Sequence, residues 1–316
     1  MDVKYSQKYT INFISYPILL LFLIGLSLFT LAIYLRCLIG FSLFVTIPIS
    51  VLANYILFPV IHDGSHGTIS SNQYVNEILS YTAAVPFFFA PFPTWRFIHL
   101  RHHRYTNVKG QDPDYYVGGG VETNHELTFR LITHVFQYLN FFFKEIYVIL
   151  KKNIRKIFIK DGSCDLDIGN LYRVTNDRTI QTNVKILGIT AISILLNMFI
   201  VYMSYKKGAL DDILVLWVIP GALGIIILSF LFDYLPHRFH EVDIYESKYK
   251  TTNMTHGLFS KNGKVNKCLA ILTCNQLTYH NIHHLYPKVP FYVYGEIWDK
   301  NKEFLIDKGC PIQSVF

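Results

Sequence analysis

Charged residues are scarce in this chain of 316 residues: they make up 16% of it, whereas hydrophobic residues make up 51%. Typical soluble domains carry roughly 25% charged residues. The composition also excludes an intrinsically disordered chain, because such chains are rich in charge and poor in apolar side chains. It therefore predicts an integral membrane protein.

The five cysteines form no CxxC pair. The chain thus lacks both a disulfide framework and the close cysteine spacing of iron–sulfur and structural zinc sites. It also contains no GxGxxG motif of the kind that binds dinucleotides. We interpret the cysteines as reduced thiols, and we expect no fused electron carrier.

The net charge is +7, but the lysines are dispersed and no nucleic-acid-binding motif is present. Attraction to anionic lipid headgroups or to an acidic redox protein fits this pattern better. No nucleic-acid partner is expected.

Four uncharged apolar runs are long enough to cross a membrane, since about 20 helical residues span a bilayer. They cover residues 11–35, 37–61, 186–205 and 213–232. The first run is too long for a signal-peptide core, so we expect it to be retained. The apolar stretch 78–93 is interrupted by three prolines, which indicates an interfacial or re-entrant segment. The pattern predicts one all-α membrane domain over residues 1–316, with four transmembrane helices and a cytosolic helical cap.

Four spans place both chain ends and the long middle segment on one side of the membrane. The turns on the other side contain only Arg36, Lys206 and Lys207 among the 29 lysines and arginines. The positive-inside rule therefore predicts a cytoplasmic location for both termini and the middle segment. On that side we expect a flexible loop at 118–126 and an interfacial basic helix at 151–162.

Nine of the 13 histidines fall into four short motifs near these runs. HDGSH directly follows the second run and DYLPH follows the fourth, while HLRHH and HNIHH lie in the middle segment and the C-terminal segment. Helical residues three and four positions apart share one face, so each motif can project its imidazoles inward. The candidate metal ligands are His62, His66, His99, His102, His103, His237, His280, His283 and His284.

Nine imidazoles are too many for one tetrahedral zinc ion, but two metal ions with four or five ligands each would use them all. Imidazole suits iron, zinc, copper and nickel. Neutral rings bring no negative charge, so neighbouring carboxylates are expected to balance and orient them. The candidates for this role are Asp63, Asp112, Asp114 and Asp233.

Two of these assignments have conditions. Asp112 and Asp114 fit a simple turn around Pro113 equally well. Asp233 shares a helical face with His237 only if the helix continues past Pro236. Of the other histidines, His240 and His256 are weaker ligand candidates, and His125 and His134 are expected to be ordinary polar residues.

The order HDxxH, HxxHH, HxxHH between membrane hairpins resembles the integral-membrane fatty acid desaturase superfamily over about residues 50–295. LFDYLPHRFH and HNIHHLYPKVPFYVY are similar to the bacterial and cyanobacterial beta-carotene hydroxylase branch. The resemblance implies a cytosolic cap that holds two iron ions on the nine histidines named above. It also implies O2-dependent oxidation of an unactivated C–H bond in a long-chain lipid, with electrons from an external ferredoxin or cytochrome b5.

Three readings of the activity follow. Stearoyl-type acyl-CoA desaturases have an asparagine where this chain has Asp233, and their first histidine motif is one residue longer. Both differences count against an acyl-CoA desaturase. Because of the motifs similar to beta-carotene hydroxylases, we favour a hydroxylase (monooxygenase) acting on a carotenoid-like or acyl-lipid substrate, with an acyl-lipid desaturase as the alternative. A metal transporter or sensor is the alternative from another functional class. Transporters place polar ligands near the bilayer midplane. The four runs contain neither histidine nor acid, which disfavours this alternative.

The aromatic stretch FFFAPFPTW, residues 87–95, fits two roles. It could line an apolar substrate tunnel or anchor the chain at the membrane interface. Trp95 and Arg96 lie within one helical turn of His99, so they are the candidates for a role at the metal site.

Overall fold

The computed structural model of the protein describes residues 9, 11, 13–158, 180–238, 242–255 and 267–313. Helices dominate these residues, and the predicted all-α membrane fold is confirmed. The α-helices are α1 Tyr16–Tyr34, α2 Leu43–His66, α3 Gln73–Ala84, α4 Phe92–Tyr105, α5 Tyr115–Gly118, α6 Asn124–His134, α7 Gln137–Phe158, α8 Ile180–Lys206, α9 Leu210–Ile213, α10 Ile219–Leu228, α11 Lys267–Leu272, α12 His280–Leu285 and α13 Tyr294–Asp307.

Shorter elements complete the described chain. Three π-helical segments cover Leu35–Ile39, Leu214–Val218 and Ser229–Tyr234, and one 3₁₀ turn covers Phe291–Val293. Two dipeptide strands, β1 Met254–Thr255 and β2 Ile312–Gln313, pair in parallel. The β1–β2 pair ties the C-terminal end to the loop that follows His237. The single-domain organisation over 1–316 stays a prediction.

Four helical stretches are long and apolar enough to cross a membrane: Tyr16–Ile39, Leu43–His66, Lys185–Lys206 and Leu210–Tyr234. The predicted number of spans is confirmed, but two boundaries need correction. The first stretch continues to Ile39, so Arg36 and Cys37 lie within it and the turn to the second stretch begins at Gly40. The second stretch continues through His66 and ends at Gly67, which caps the helix with φ of 72°. The HDGSH motif therefore forms the last turns of this span instead of following it.

The spans differ in how much of their surface the protein covers. α2 packs against α1, α3 and α10, and Leu57 and Val60 are fully buried in it. α8 instead exposes more than half of the side chains of Ile192, Leu195 and Phe199. An exposed apolar surface of this kind fits contact with lipid.

The proline-interrupted stretch forms the end of α3, a non-helical turn and the start of α4. Two spans satisfy carbonyl groups in this turn: Asn197 Nδ2 donates to Phe88 O at 2.9 Å, and Trp217 Nε1 donates to Val85 O at 2.6 Å. Irregular backbone near a membrane needs such partners. The turn is thereby fixed at the point where α4 begins.

Two expectations about the middle segment change. The flexible loop predicted over 118–126 is wrong at both ends, because α5 reaches Gly118 and α6 begins at Asn124. Thr123 caps α6 by accepting a hydrogen bond from Glu126 N at 3.1 Å. The expected basic helix coincides with the end of α7 up to Phe158, and residues 159–162 lie outside the described residues.

The two ends of the chain approach each other. Tyr9 donates a hydrogen bond from its hydroxyl to Glu296 Oε1 in α13 at 2.7 Å. Both terminal segments therefore lie on one side of the spans, as four spans require. That this side is cytoplasmic stays a prediction.

The contact of α1 with α2 depends on a glycine. A Cβ at Gly25 would lie 2.7 Å from Leu57 Cδ2, well inside van der Waals contact. Small residues permit such close helix approaches in membranes. We expect Gly25→Ala to lower the thermal unfolding midpoint in detergent, because overpacking costs about 1–3 kcal/mol. The control is Gly188→Ala in α8, where a Cβ meets nothing within 4 Å. Equal midpoints for Gly25→Ala and wild type would contradict this packing.

Candidate metal centre

The nine candidate ligands come together where α2, α4 and α12 meet the segment after the fourth span. Within each of two groups, the ring nitrogens all lie within 4.8 Å of one another. The five-histidine group contains His62, His66, His99, His103 and His283, and the four-histidine group contains His102, His237, His280 and His284. Two other histidines considered from the sequence, His240 and His256, lie outside the described residues.

Each HxxHH motif is divided between the two groups. α4 gives His99 and His103 to the five-histidine group and His102 to the four-histidine group, whereas α12 gives only His283 to the former. An α-helix turns by about 100° per residue, so neighbouring histidines point in different directions. The inward-facing rings of each HxxHH motif therefore serve two groups.

All nine rings turn Nε2 inward. Nε2 of His280 lies 3.0 Å from that of His237 and 3.1 Å from that of His284. Nε2 of His99 likewise faces those of His66 and His103 at 2.9 and 3.2 Å. A nitrogen of a neutral imidazole is either a donor or an acceptor, so these contacts cannot all be good hydrogen bonds. A cation within each group would bind all the lone pairs at once, and the donor set suits iron or zinc.

One carboxylate supports each group from outside. Asp63 Oδ1 lies 3.0 Å from His62 Nδ1, and Asp112 Oδ1 lies 2.8 Å from His102 Nδ1. Both acids are almost fully buried. Asp112 also accepts hydrogen bonds from the backbone N–H groups of Asn107 and Asp114 at 2.7 and 2.9 Å. It therefore both shapes the turn at Pro113 and holds a candidate ligand.

Uncharged groups contact the outer nitrogens of other histidine rings, and the sequence pattern did not predict these contacts. Nδ1 of His283 lies 2.9 Å from the hydroxyl of Tyr294, and Nδ1 of His280 lies 2.9 Å from the backbone carbonyl of Gln276. Asn107 Oδ1 lies 3.3 Å from Nδ1 of His237. Such partners orient a ring so that its other nitrogen can bind a metal. The left-handed conformation of Asn107, with φ of 64°, depends on folding and gives no sequence signal.

Asp233 does not lie on a common helix with His237. The third π-helical segment, Ser229–Tyr234, ends before His237, and a turn connects the two. This segment is called the π-helical segment below. The carboxylate of Asp233 approaches His134, with Oδ2 and Nε2 separated by 3.4 Å. His134 was expected to be an ordinary polar residue, but it is fully buried. These two residues and Asp114 form a third group of polar side chains.

The environment keeps most of the rings outside the spans uncharged when no metal is bound. Burial lowers the pKa of His280 to about 3, and the nearby ring of His102 adds to the shift. Burial and neighbouring rings also lower the pKa values of four further histidines well below 6.5: His99, His103, His283 and His284. For His102 burial acts in the same direction, but Asp112 and Asp114 outweigh it and raise its pKa to about 9.

A largely apolar cavity lies directly beneath both groups. Four candidate ligands line it: His62, His99, His102 and His280. Its walls come from α2, α4, α10 and the π-helical segment, and include Phe58, Ile61, Trp95, Ile225, Leu228 and Phe232. Trp95 also stacks on His99 with a centroid distance of 4.8 Å, whereas Arg96 pairs with Glu77. The two residues singled out from the sequence thus face different ways.

Metal-free protein should lose stability on acidification. A histidine whose pKa is lowered by folding takes up a proton only on unfolding, so the free energy of unfolding falls as the pH drops below about 6.5. Burial raises the pKa of Asp114 to about 7, and Asp112 and Asp114 raise that of His102 to about 9. Both shifts act in the opposite direction, but they are two groups against the five lowered histidines. We expect the thermal midpoint of chelator-treated protein to fall from pH 7 to pH 5. A midpoint that is constant over this range would contradict the neutral cluster.

Comparison with known proteins leads to the family that the motifs resemble. The model of the family described as "Fatty acid desaturase" matches residues 37–316. A 55-residue stretch is 38% identical to the sn-1 oleoyl-lipid 12-desaturase of Picosynechococcus sp. (strain ATCC 27264 / PCC 7002 / PR-6), covering 17% of this chain and 16% of that protein. A 55-residue stretch is also 40% identical to the chloroplastic omega-6 fatty acid desaturase of Glycine max, covering 17% of this chain and 13% of that protein.

The matched stretch thus covers less than a fifth of either relative. Both relatives are desaturases by name, and the narrower similarity to beta-carotene hydroxylases stays a prediction. The family match itself covers most of the chain and confirms the resemblance to the superfamily. The chain belongs to the fatty acid desaturase family.

Proposed function

We propose that this protein is an O2-dependent membrane oxidoreductase that removes hydrogen from an unactivated carbon in the acyl chain of a membrane lipid. One observation carries the proposal: histidines from both candidate metal groups form the end of an apolar cavity between the spans. The names of the two relatives support desaturation of the acyl chain as the outcome.

The five-histidine and four-histidine groups would each hold one iron ion through Nε2. Bound iron supplies redox chemistry that no side chain possesses, so that two lipid hydrogens, two protons and two electrons from an external donor convert O2 to two water molecules. Asp63 and Asp112 orient His62 and His102 and supply negative charge that the rings lack. Zinc would fit the same nitrogens but has no redox chemistry.

The cavity walls would hold the lipid chain and exclude water. Phe58 of α2 and Phe232 of the π-helical segment stack with a centroid distance of 4.9 Å and an angle of 7°. Trp95 meets Phe58 edge to face at 6.1 Å. These rings place a flat, apolar wall beside the candidate ligands, where an extended hydrocarbon chain fits better than a polar molecule.

Hydroxylation is the second candidate. It shares the removal of the first hydrogen with desaturation and differs in whether oxygen is then transferred to carbon. The motifs LFDYLPHRFH and HNIHHLYPKVPFYVY favour it through their similarity to beta-carotene hydroxylases. A carotenoid-like substrate belongs to this second candidate.

An external ferredoxin or cytochrome b5 would deliver the electrons to the face above the metal groups. Asn107 ties the loop after His237 to the end of α4 by donating to Val242 O and Thr251 O at 3.0 and 2.7 Å. Exposed cations of these segments, of the turn after α4 and of the turn after α12 surround the site: Arg104, Lys109, Lys248, Lys250 and Lys288. Such a surface attracts an acidic partner. We place this face in the cytoplasm.

Lipid analysis of an expressing host tests the activity. We expect a lipid lighter by two hydrogens if the protein is a desaturase, and heavier by one oxygen if it is a hydroxylase. His283→Ala should abolish the new lipid, because it removes a ligand from the five-histidine group. His125→Ala changes an exposed histidine of α6 and should retain the product. A product that survives His283→Ala would sink the proposed function.

Metal retention tests the support given by Tyr294. Tyr294→Phe removes the hydroxyl that holds His283 Nδ1, and loss of such a partner typically weakens metal binding about 10–100-fold. We expect faster loss of iron to a competing chelator, measured by elemental analysis. Tyr292→Phe changes a partly exposed neighbour and serves as the matched control. Equal iron loss from the two variants would contradict the role of Tyr294.

A further inference from the structure

One part of the cavity wall is polar. Asp114 and Asp233 line the cavity, and His134 lies behind them at the end of α6. The nitrogen of His134 and the carboxylate oxygens all lie within 4.8 Å of one another. We call these three residues the polar recess. It contains none of the nine candidate ligands, and it contacts one of them, since Asp114 Oδ2 lies 3.5 Å from Nδ1 of His102.

The members of the recess lie close together without a direct hydrogen bond, so an oxygen atom beside them could contact more than one of them. The 3.4 Å that separates His134 Nε2 from Asp233 Oδ2 is longer than a normal N–H···O hydrogen bond, which is about 2.7–3.2 Å. His134 is fully buried, and neither of its ring nitrogens makes a hydrogen bond with any residue that the structure describes. One hydroxyl oxygen can contact two atoms up to about 5.5 Å apart at normal hydrogen-bond distances.

A second buried group faces the same cavity. Gln276 is 1% exposed, and its Oε1 has no hydrogen-bond partner among the described residues. One end of this amide lies 3.0 Å from Nδ1 of His62, which donates to Asp63, so the amide is held at the metal groups and its other end is left for a ligand. Buried polar groups normally have partners.

The polar groups at this end of the cavity include both acceptors and donors. They are the carboxylates of Asp114 and Asp233 and the amides of Gln276 and Gln137, and Nε2 of Gln137 is buried without a hydrogen-bond partner among the described residues. An unsubstituted hydrocarbon chain would leave the buried His134 ring and these amides unpaired, which is unfavourable. A hydroxyl group both donates and accepts, so it suits such a mixed set. A divalent cation bound in the recess is disfavoured, because it would lie close to the proposed iron and the two positive charges would repel each other. Only His102 separates them: its Nδ1 lies 3.5 Å from Asp114 Oδ2, and its other nitrogen faces the proposed iron.

We propose that the polar recess binds a hydroxyl group carried by the lipid substrate, so that the preferred substrate is a hydroxylated long chain. The inference rests on the proposed function, because it assigns a substrate class to the same cavity. The hydroxyl donates to a carboxylate and accepts from the N–H of His134. Sites built to hydrogen-bond a substrate hydroxyl discriminate strongly against analogues that lack it.

The test compares three probes in the iron-loaded protein: a saturated acyl glycerolipid, its monohydroxylated derivatives along the chain, and the matching methyl ethers. We expect kcat/KM for one hydroxylated isomer to exceed that for the unsubstituted chain and for the methyl ether at least about tenfold. Equal values for all three probes would overturn the inference and would indicate that the recess holds water only. This comparison needs no variant, so it does not depend on whether a variant folds.

Variants then locate the effect. His134→Phe should lower the preference for the hydroxylated chain to near unity while oxidation of the unsubstituted chain persists. Asp233→Asn should lower the same preference, whatever its effect on the overall rate. His125→Phe, on the exposed face of the same helix, should retain the preference. A preference that both His134→Phe and Asp233→Asn retain would place the hydroxyl elsewhere and overturn the inference.

The two proposals can fail separately. If no lipid is oxidised, the proposed function fails. Equilibrium binding of the same three probes to purified protein then decides the inference alone, with tighter binding of a hydroxylated isomer supporting it and equal binding overturning it.

Discussion

The structure depends on nine histidine rings whose Nε2 atoms face one another inside the protein, away from water. Nine lone pairs in so small a space repel each other, and protonation cannot relieve the contact because burial disfavours charge on most of the rings. The arrangement is favourable only around cations. The remainder of the protein must therefore hold the rings in place before a metal arrives, and it does so by fixing their outer nitrogens from several independent segments.

Those segments come from distant parts of the sequence, and a few polar side chains connect them. Asn107 joins α4 to the loop after His237, while Asn281 of α12 donates to Tyr249 O and Thr252 O in that loop at 3.0 Å each. Asp63 holds His62 at the end of α2, where Nε2 of His62 lies 3.0 Å from Nε2 of His283 in α12. The second span is thus part of the site as well as part of the membrane domain. This continuity places an apolar cavity and the candidate metal groups within contact of each other.

The sequence predicted the features that depend on local pattern. Apolar runs marked the four spans, and histidine spacing identified all nine rings that now converge. It did not predict how the rings divide, because the direction of each helix at the site is set by tertiary packing. It also missed the burial of His134 and the π-helical turn that carries Phe232 and Asp233 to the cavity, since one extra residue in a helical turn leaves no compositional mark. Neutral partners such as Tyr294 were not predicted either, because a hydroxyl that lies near a histidine in space need not be near it in the sequence.

The division of each HxxHH motif has a consequence for how the site can vary. α4 and α12 each supply rings to both groups, so a small rotation of either helix moves histidines of both groups together. Neither group can be changed by altering one of these helices without disturbing the other. The two candidate metal groups are therefore coupled through the backbone.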